Sequence, residues 1–294
     1  MMVELLADMP AGERSRRTMA RGGLLTFGLL LLPLSLLGYW FLDATRASLP
    51  LNLPTLPLML APAVASVSTR LIRHEGFADV SFRTGGRRSP GALALGLALP
   101  LFVGALAYGT AYQSGLARLA PPVLPVFPSS AGPLAQLAAL LLLAGTLGTL
   151  ALLPGAAGEE IGWRGYLLPR LVAAGVPQPI LLTGLVWGLW HLVPLFASGY
   201  AAGPWSVLSA GTLLISAVSL GFVLAWLRLD SGSIWPAAVA HAAWNAVING
   251  GFDLATEGAG AQLWLGEAGV LVTSALALVT LAVGWARQRR PRTA

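Results

Sequence analysis

Residues Leu134–Gly155 read LAQLAALLLLAGTLGTLALLPG, an apolar run without a single charge. A helix needs about 20 such residues to cross a hydrocarbon core. Directly after it come Gly158-Glu159-Glu160-Ile161-Gly162-Trp163-Arg164, two adjacent carboxylates and a guanidinium. Charges within or beside membrane-depth segments are costly and by default mark a working site.

The same apolar character recurs along the chain of 294 residues, which is 56% hydrophobic and only 10% charged. Windows of spanning length occur near Gly23–Leu42, Leu53–Ile72, Gly91–Tyr112, Leu134–Gly155, Pro179–Phe196, Ser206–Leu227, Ile234–Gly250 and Leu265–Trp285. Open sheets cannot satisfy their backbone in lipid, and no alternating strands of roughly ten residues occur, which argues against a barrel. The predicted fold class is therefore all-α, a polytopic transmembrane helix bundle of about eight spans. Cysteine is absent, which excludes disulfides, thiolate metal ligands and cysteine nucleophiles. The first span follows Arg14, Arg16, Arg17 and Arg21. It is too long for a typical signal-peptide core and no small-residue cleavage site follows, so it reads as retained.

All 18 basic residues are arginine, and the net charge is +6. On the eight-span division every arginine except Arg46 and Arg118 falls at a terminus or an even-numbered connection. The positive-inside rule then puts both termini in the cytoplasm. The arginines alternate between loops rather than forming one patch, so nucleic acid is not the expected partner. Arginine to the exclusion of lysine fits a GC-rich bacterial genome, hence a multi-pass protein of a bacterial cell membrane. The chain divides into a polar cytoplasmic lead (1–22), a three-helix membrane scaffold (23–133), a core carrying polar groups at depth (134–251), and a last span with a basic cytoplasmic tail (252–294). No internal repeat is visible.

Three constellations in the core carry chemistry. In a helix, Glu160 and Arg164 share a face four residues apart, while Glu159 is rotated by about 100° and stays outside that pair. A desolvated carboxylate freed in this way can take a proton from water; the plain alternative is an interfacial ion pair at a helix end. Trp187-Gly188-Leu189-Trp190-His191 puts a histidine deep in the fifth span, with Trp187 one turn before it. A lone buried histidine is more often a hydrogen-bonded core residue than a base. His241 and Asn245, again four apart, offer donors for a developing oxyanion or, equally, an interhelical polar contact. No Ser-His-Asp set, phosphate loop or H-E-x-x-H pattern is present, although two histidines and a glutamate on separate helices could hold zinc.

Taken in order, Glu159-Glu160-x-x-x-Arg164, Trp187-x-x-x-His191 and His241-x-x-x-Asn245 resemble the CPBP family, the type II CAAX prenyl endopeptidases and the bacteriocin-processing and immunity proteins of membranes. The resemblance covers about Leu134–Gly251. One departure is that the second motif usually begins with phenylalanine, and here it begins with Trp187. What the resemblance implies is an intramembrane endopeptidase acting near the cytoplasmic membrane face on a membrane-associated peptide or protein. Glu159 would be the base that activates water, Glu160 and Arg164 an orienting pair, and His191 a group that positions the water. His241 and Asn245 would steady the oxyanion. Both metal-dependent and metal-free mechanisms have been ascribed to the family. If zinc takes part, Glu159, His191 and His241 are its expected ligands.

The spans raise a geometric tension. A fourth helix ending at Gly155 leaves Glu159 at the surface, whereas His191 lies roughly 18 Å deep, from about 12 residues at a rise of 1.5 Å. The site closes only if the helix bearing Glu159 is long, tilted or re-entrant, with Glu159 in a hydrated pocket opening to the cytoplasm. Two other classes compete with the protease: a proton-coupled membrane transporter, since buried Glu and His also relay protons, and a non-catalytic immunity or scaffold protein.

Overall fold

The computed structural model describes residues 11–45, 53–125, 128, 130, 132–197 and 206–288. Their principal helices are α1 Ala11–Thr45, α2 Leu56–Ile72, α3 Ser89–Ser114, α4 Pro133–Ala173 and α5 Pro179–Ala197. They are followed by α6 Ser206–Ser231, α7 and α8 Val270–Gln288. Helix α7 starts as Trp235–Trp244 and continues through wider π-helical turns over Asn245–Asp253. The described residues are all-α apart from one short ribbon, in which Arg118–Leu119 pairs antiparallel with Thr256–Glu257. Among the described residues five helices are long and apolar enough to cross a membrane: α1, α3, α4, α5 and α6. Helices α2 and α8 are shorter and apolar. Large side chains on α1, among them Leu25, Leu29, Leu32, Leu36 and Trp40, face outwards, as a lipid-facing helix requires. Arg46, Arg289, Arg290 and Arg292 lie outside the described residues.

Two boundaries differ from those expected. Helix α1 begins at Ala11 instead of Gly23, and α4 runs on past Gly155 to Ala173. The physical reason for the second is backbone satisfaction. Ending a helix inside lipid strands N–H and C=O groups, so Glu159, Glu160 and Arg164 ride on a continuing helix. The helix absorbs its proline, Pro154, and takes wider π turns at Ala144–Gly148 and Trp163–Leu167. One face of it is stripped to glycine: Gly155, Gly158 and Gly162 lie against Met59, Leu60 and Pro62 of α2. A β-carbon at Gly158 would stand 2.9 Å from the Met59 carbonyl oxygen, so the two backbones approach as small-residue interfaces in membranes allow. Turning glycine towards α2 turns the two glutamates into the bundle.

The arginine-rich end of the bundle is tied together by ions. Arg70, fully buried, reaches Asp79 at 2.6 Å and the Gly165 carbonyl at 2.9 Å. Arg170 grips Glu75 at 2.9 Å and Asp79 at 2.6 Å, and Arg228 donates to the Asp79 carbonyl at 2.7 Å. The loop after α2 is thereby fastened to α4 and α6. At the opposite end the ribbon is bridged by Arg118 and Glu257 at 2.6 Å, and Tyr108 donates to Asp253.

Candidate active site

Six residues singled out in the sequence come together between α4, α5 and α7. Glu160 and Arg164 are both fully buried and form an ion pair at 2.7 Å. The same carboxylate oxygen, Oε1, lies 2.9 Å from Nδ1 of His241, so one atom of α4 ties α7 to the pair. A buried ion pair of this kind is held by its geometry, because both charges have lost water.

Glu159 points elsewhere, as the rotation around the helix requires. It is 2% exposed, and its Oε2 accepts the indole N–H of Trp187 at 2.7 Å and that of Trp163 at 3.3 Å. On α5, His191 stands with Nδ1 3.0 Å from the Trp187 carbonyl oxygen one turn back. Its ring meets Trp187 and Trp190 edge-on, with centroids 5.2 Å and 4.9 Å away. His241 meets the other side of Trp187 edge-on at 5.2 Å, and the Arg164 guanidinium lies over the same indole at 4.6 Å. The aromatic wall expected at Trp187 is present, and it touches four of the polar groups at once.

A cavity of about 700 Å³ runs alongside. Glu159, His191, His241 and Asn245 line it, while Glu160 and Arg164 stand behind. Its remaining walls are mostly apolar, including Leu58, Met59, Leu152, Pro194 and Leu220. Asn245 opens the π-helical part of α7, as Trp163 opens the second of the two in α4; such wider turns often occur at working sites because they re-aim side chains. The tension over depth is resolved by the length of α4, which carries Glu159 inwards to the level of His191. The cavity lining extends away from the arginine-rich end. It runs to Leu42, Thr55, Gly250, Leu254 and Glu267, at the opposite helix ends, and the arginine-rich end is filled by the network around Asp79.

The residues that would hold zinc, as the resemblance implies, are Glu159, His191 and His241. Among the described residues no three His, Asp or Glu side chains gather as a metal-binding group. Glu159 Oε2 accepts from two indoles, His241 Nδ1 faces Glu160 and His191 Nδ1 faces its own helix, contacts that leave Glu159 Oε1 and Nε2 of each imidazole as the atoms that would be offered to a metal.

Reading the sequence missed several contributors. Trp163 lies four residues after Glu159, a spacing that signals a shared face. Helix α1, taken as scaffold, holds the site from outside: Ser35 accepts the Trp190 indole N–H at 2.8 Å, and Tyr39 donates to the Trp190 carbonyl at 2.6 Å. Gly221 on α6 leaves room for Arg164, since a β-carbon there would lie 3.1 Å from its Nη2.

No curated protein matches this chain. Residues 134–247 match a family model described as Type II CAAX prenyl endopeptidase Rce1-like. That stretch contains all six of the residues placed around the cavity, together with α5, α6 and most of α4 and α7. The protein is an integral membrane protein, and over residues 134–247 it is similar to the Rce1-like family of CAAX prenyl endopeptidases that its three motifs resemble.

Proposed function

We propose that the protein is an intramembrane endopeptidase in which Glu159 activates water. The observation that carries this reading is the meeting of Glu159, His191, His241 and Asn245 on one cavity, from three helices, with Glu160 and Arg164 fixed behind them. In the reaction, water held between Glu159 and His191 loses a proton to Glu159 as its oxygen attacks the peptide carbonyl carbon. The carbonyl oxygen takes on negative charge beside the Asn245 amide N–H and the protonated His241 ring, whose Nδ1–H is held by Glu160. When the tetrahedral centre collapses, the C–N bond breaks and Glu159 returns its proton to the departing amine. The apolar walls suit a peptide with an apolar or lipidated end.

The test is cleavage of a peptide ending in a prenylated CAAX sequence by the purified protein in liposomes. Wild type is expected to cleave; Glu159→Gln and His241→Ala are expected not to, with unchanged thermal stability for the former. Full activity in both variants overturns the reading. Cleavage that persists after exhaustive chelation supports activation of water by Glu159 alone, and loss restored by zinc assigns Glu159, His191 and His241 to a metal. The transporter and scaffold readings receive no comparable support from the site.

A further inference from the structure

The departure from the usual motif at residue 187 has a geometric consequence. Phenylalanine at this position would supply a ring and nothing else; tryptophan adds an N–H, and that N–H is aimed at the carboxylate the reaction uses. Trp187 Nε1 lies 2.7 Å from Glu159 Oε2 across two helices, α5 to α4. Trp163 donates to the same oxygen at 3.3 Å, from one turn along α4. Two indoles therefore claim one oxygen of Glu159. No hydrogen bond between described residues claims the other, Oε1, and the residue borders the cavity.

We infer that Trp187 is a positioning residue that pins Glu159 by Oε2 and thereby presents Oε1 to the attacking water. This rests on the reading of Glu159 as the base. The argument is one of rotational freedom. A glutamate at a helix surface has three side-chain torsions, and its two oxygens exchange by rotation about the last of them. A short charge-assisted hydrogen bond to a rigid, buried indole stops that exchange, and keeping a general base within reach of its proton is a condition of efficient transfer. Trp187 is well suited to the task because its ring cannot move either. It is 4% exposed, has His191 and His241 edge-on at two sides, and lies under the Arg164 guanidinium. The placement of the base is thus linked through one side chain to the orienting pair and to both histidines. Trp163, with the longer bond, is the lesser holder.

The experiment compares Trp187→Phe and Trp163→Phe with wild type and Glu159→Gln, each purified in detergent. Two readouts are used: pH-dependent kinetics on the prenylated peptide, and the indole N–H band in ultraviolet resonance Raman spectra, which reports hydrogen-bond strength without turnover. For Trp187→Phe, kcat is expected to fall roughly tenfold, the worth of one hydrogen bond to a charged group, with KM unchanged. The acid limb of its pH–rate profile is expected to move. Trp163→Phe should show a smaller fall in kcat. Both Trp187→Phe and Glu159→Gln should lose or weaken the band of a strongly bonded indole. Unchanged kcat and pH profile in Trp187→Phe, or a band indifferent to both substitutions, overturns the inference. If the band responds as expected while wild type cleaves nothing, Trp187 holds Glu159 and the protease reading is the one that fails.

Discussion

Arg164 and Arg170 lie on the same helix, α4, and each faces carboxylates, yet the two clusters are built to opposite ends. Around Arg170 the acids are used up. Asp79 gives one oxygen to Arg70 and the other to Arg170, and Glu75 meets Arg170 through two of its nitrogens. The acids there keep contact with solvent, with the Asp79 side chain one-third exposed. Around Arg164 nothing is exposed and the pairing is left incomplete. Glu160 spends one oxygen on both Arg164 and His241, while its Oε2 and two nitrogens of Arg164 are buried without a partner. The first cluster fastens a loop to a helix bundle. The second keeps charge buried at a cost in stability, a difference from a brace that the proposed chemistry would account for.

Exchanging charges at the two clusters should separate them most sharply. Glu159→Gln is expected to lower kcat by roughly 10²- to 10⁴-fold, whereas Asp79→Asn should leave kcat within about twofold; initial rates on the prenylated peptide decide this. Next in size is stability. Arg164→Met leaves Glu160 buried without its cation and should cost about 3–5 kcal/mol. Arg170→Met breaks pairs that water partly screens and should cost only about 1 kcal/mol. Denaturation in detergent compares the two, and equal losses would remove the distinction drawn here. Smaller still, Gly158→Ala pushes a methyl group into the α2 backbone and should cost about 1–3 kcal/mol, with kcat falling as Glu159 is displaced. The last prediction concerns sides. Peptide supplied from the face opposite the arginine network is expected to be cleaved in sealed vesicles of one orientation, and cleavage only from the arginine face would show that the cavity is entered through that network.

Composition made the helical class legible, because few charges and repeated apolar windows leave a protein no other way to satisfy its backbone in lipid. The separation of Glu159 from the Glu160–Arg164 pair was legible too, since it depends only on about 100° of helical rotation. Where α4 ends was not. Glu159 and Glu160 resemble the surface end of a span, and only packing against α2 reveals that glycines on the far face let them go deeper. Trp163 and Trp187 read as wall material because an indole N–H acquires meaning only when an acceptor from another helix arrives in front of it. The direction of the cavity was hidden for a related reason: the residues that fill the arginine-rich end, Arg70, Asp79 and Arg170, come from separate parts of the chain and meet only in the folded bundle.

The unbroken course of α4 carries a mechanical consequence. At 41 residues it is about 60 Å long, roughly twice the thickness of a hydrocarbon core, so it must lean or protrude. Bilayer thickness sets how far a helix leans, and Glu159 is carried at a fixed point along this one. On the proposed function, the depth at which peptide meets carboxylate would then change with acyl-chain length, and the surrounding lipid would act as a dial on cleavage.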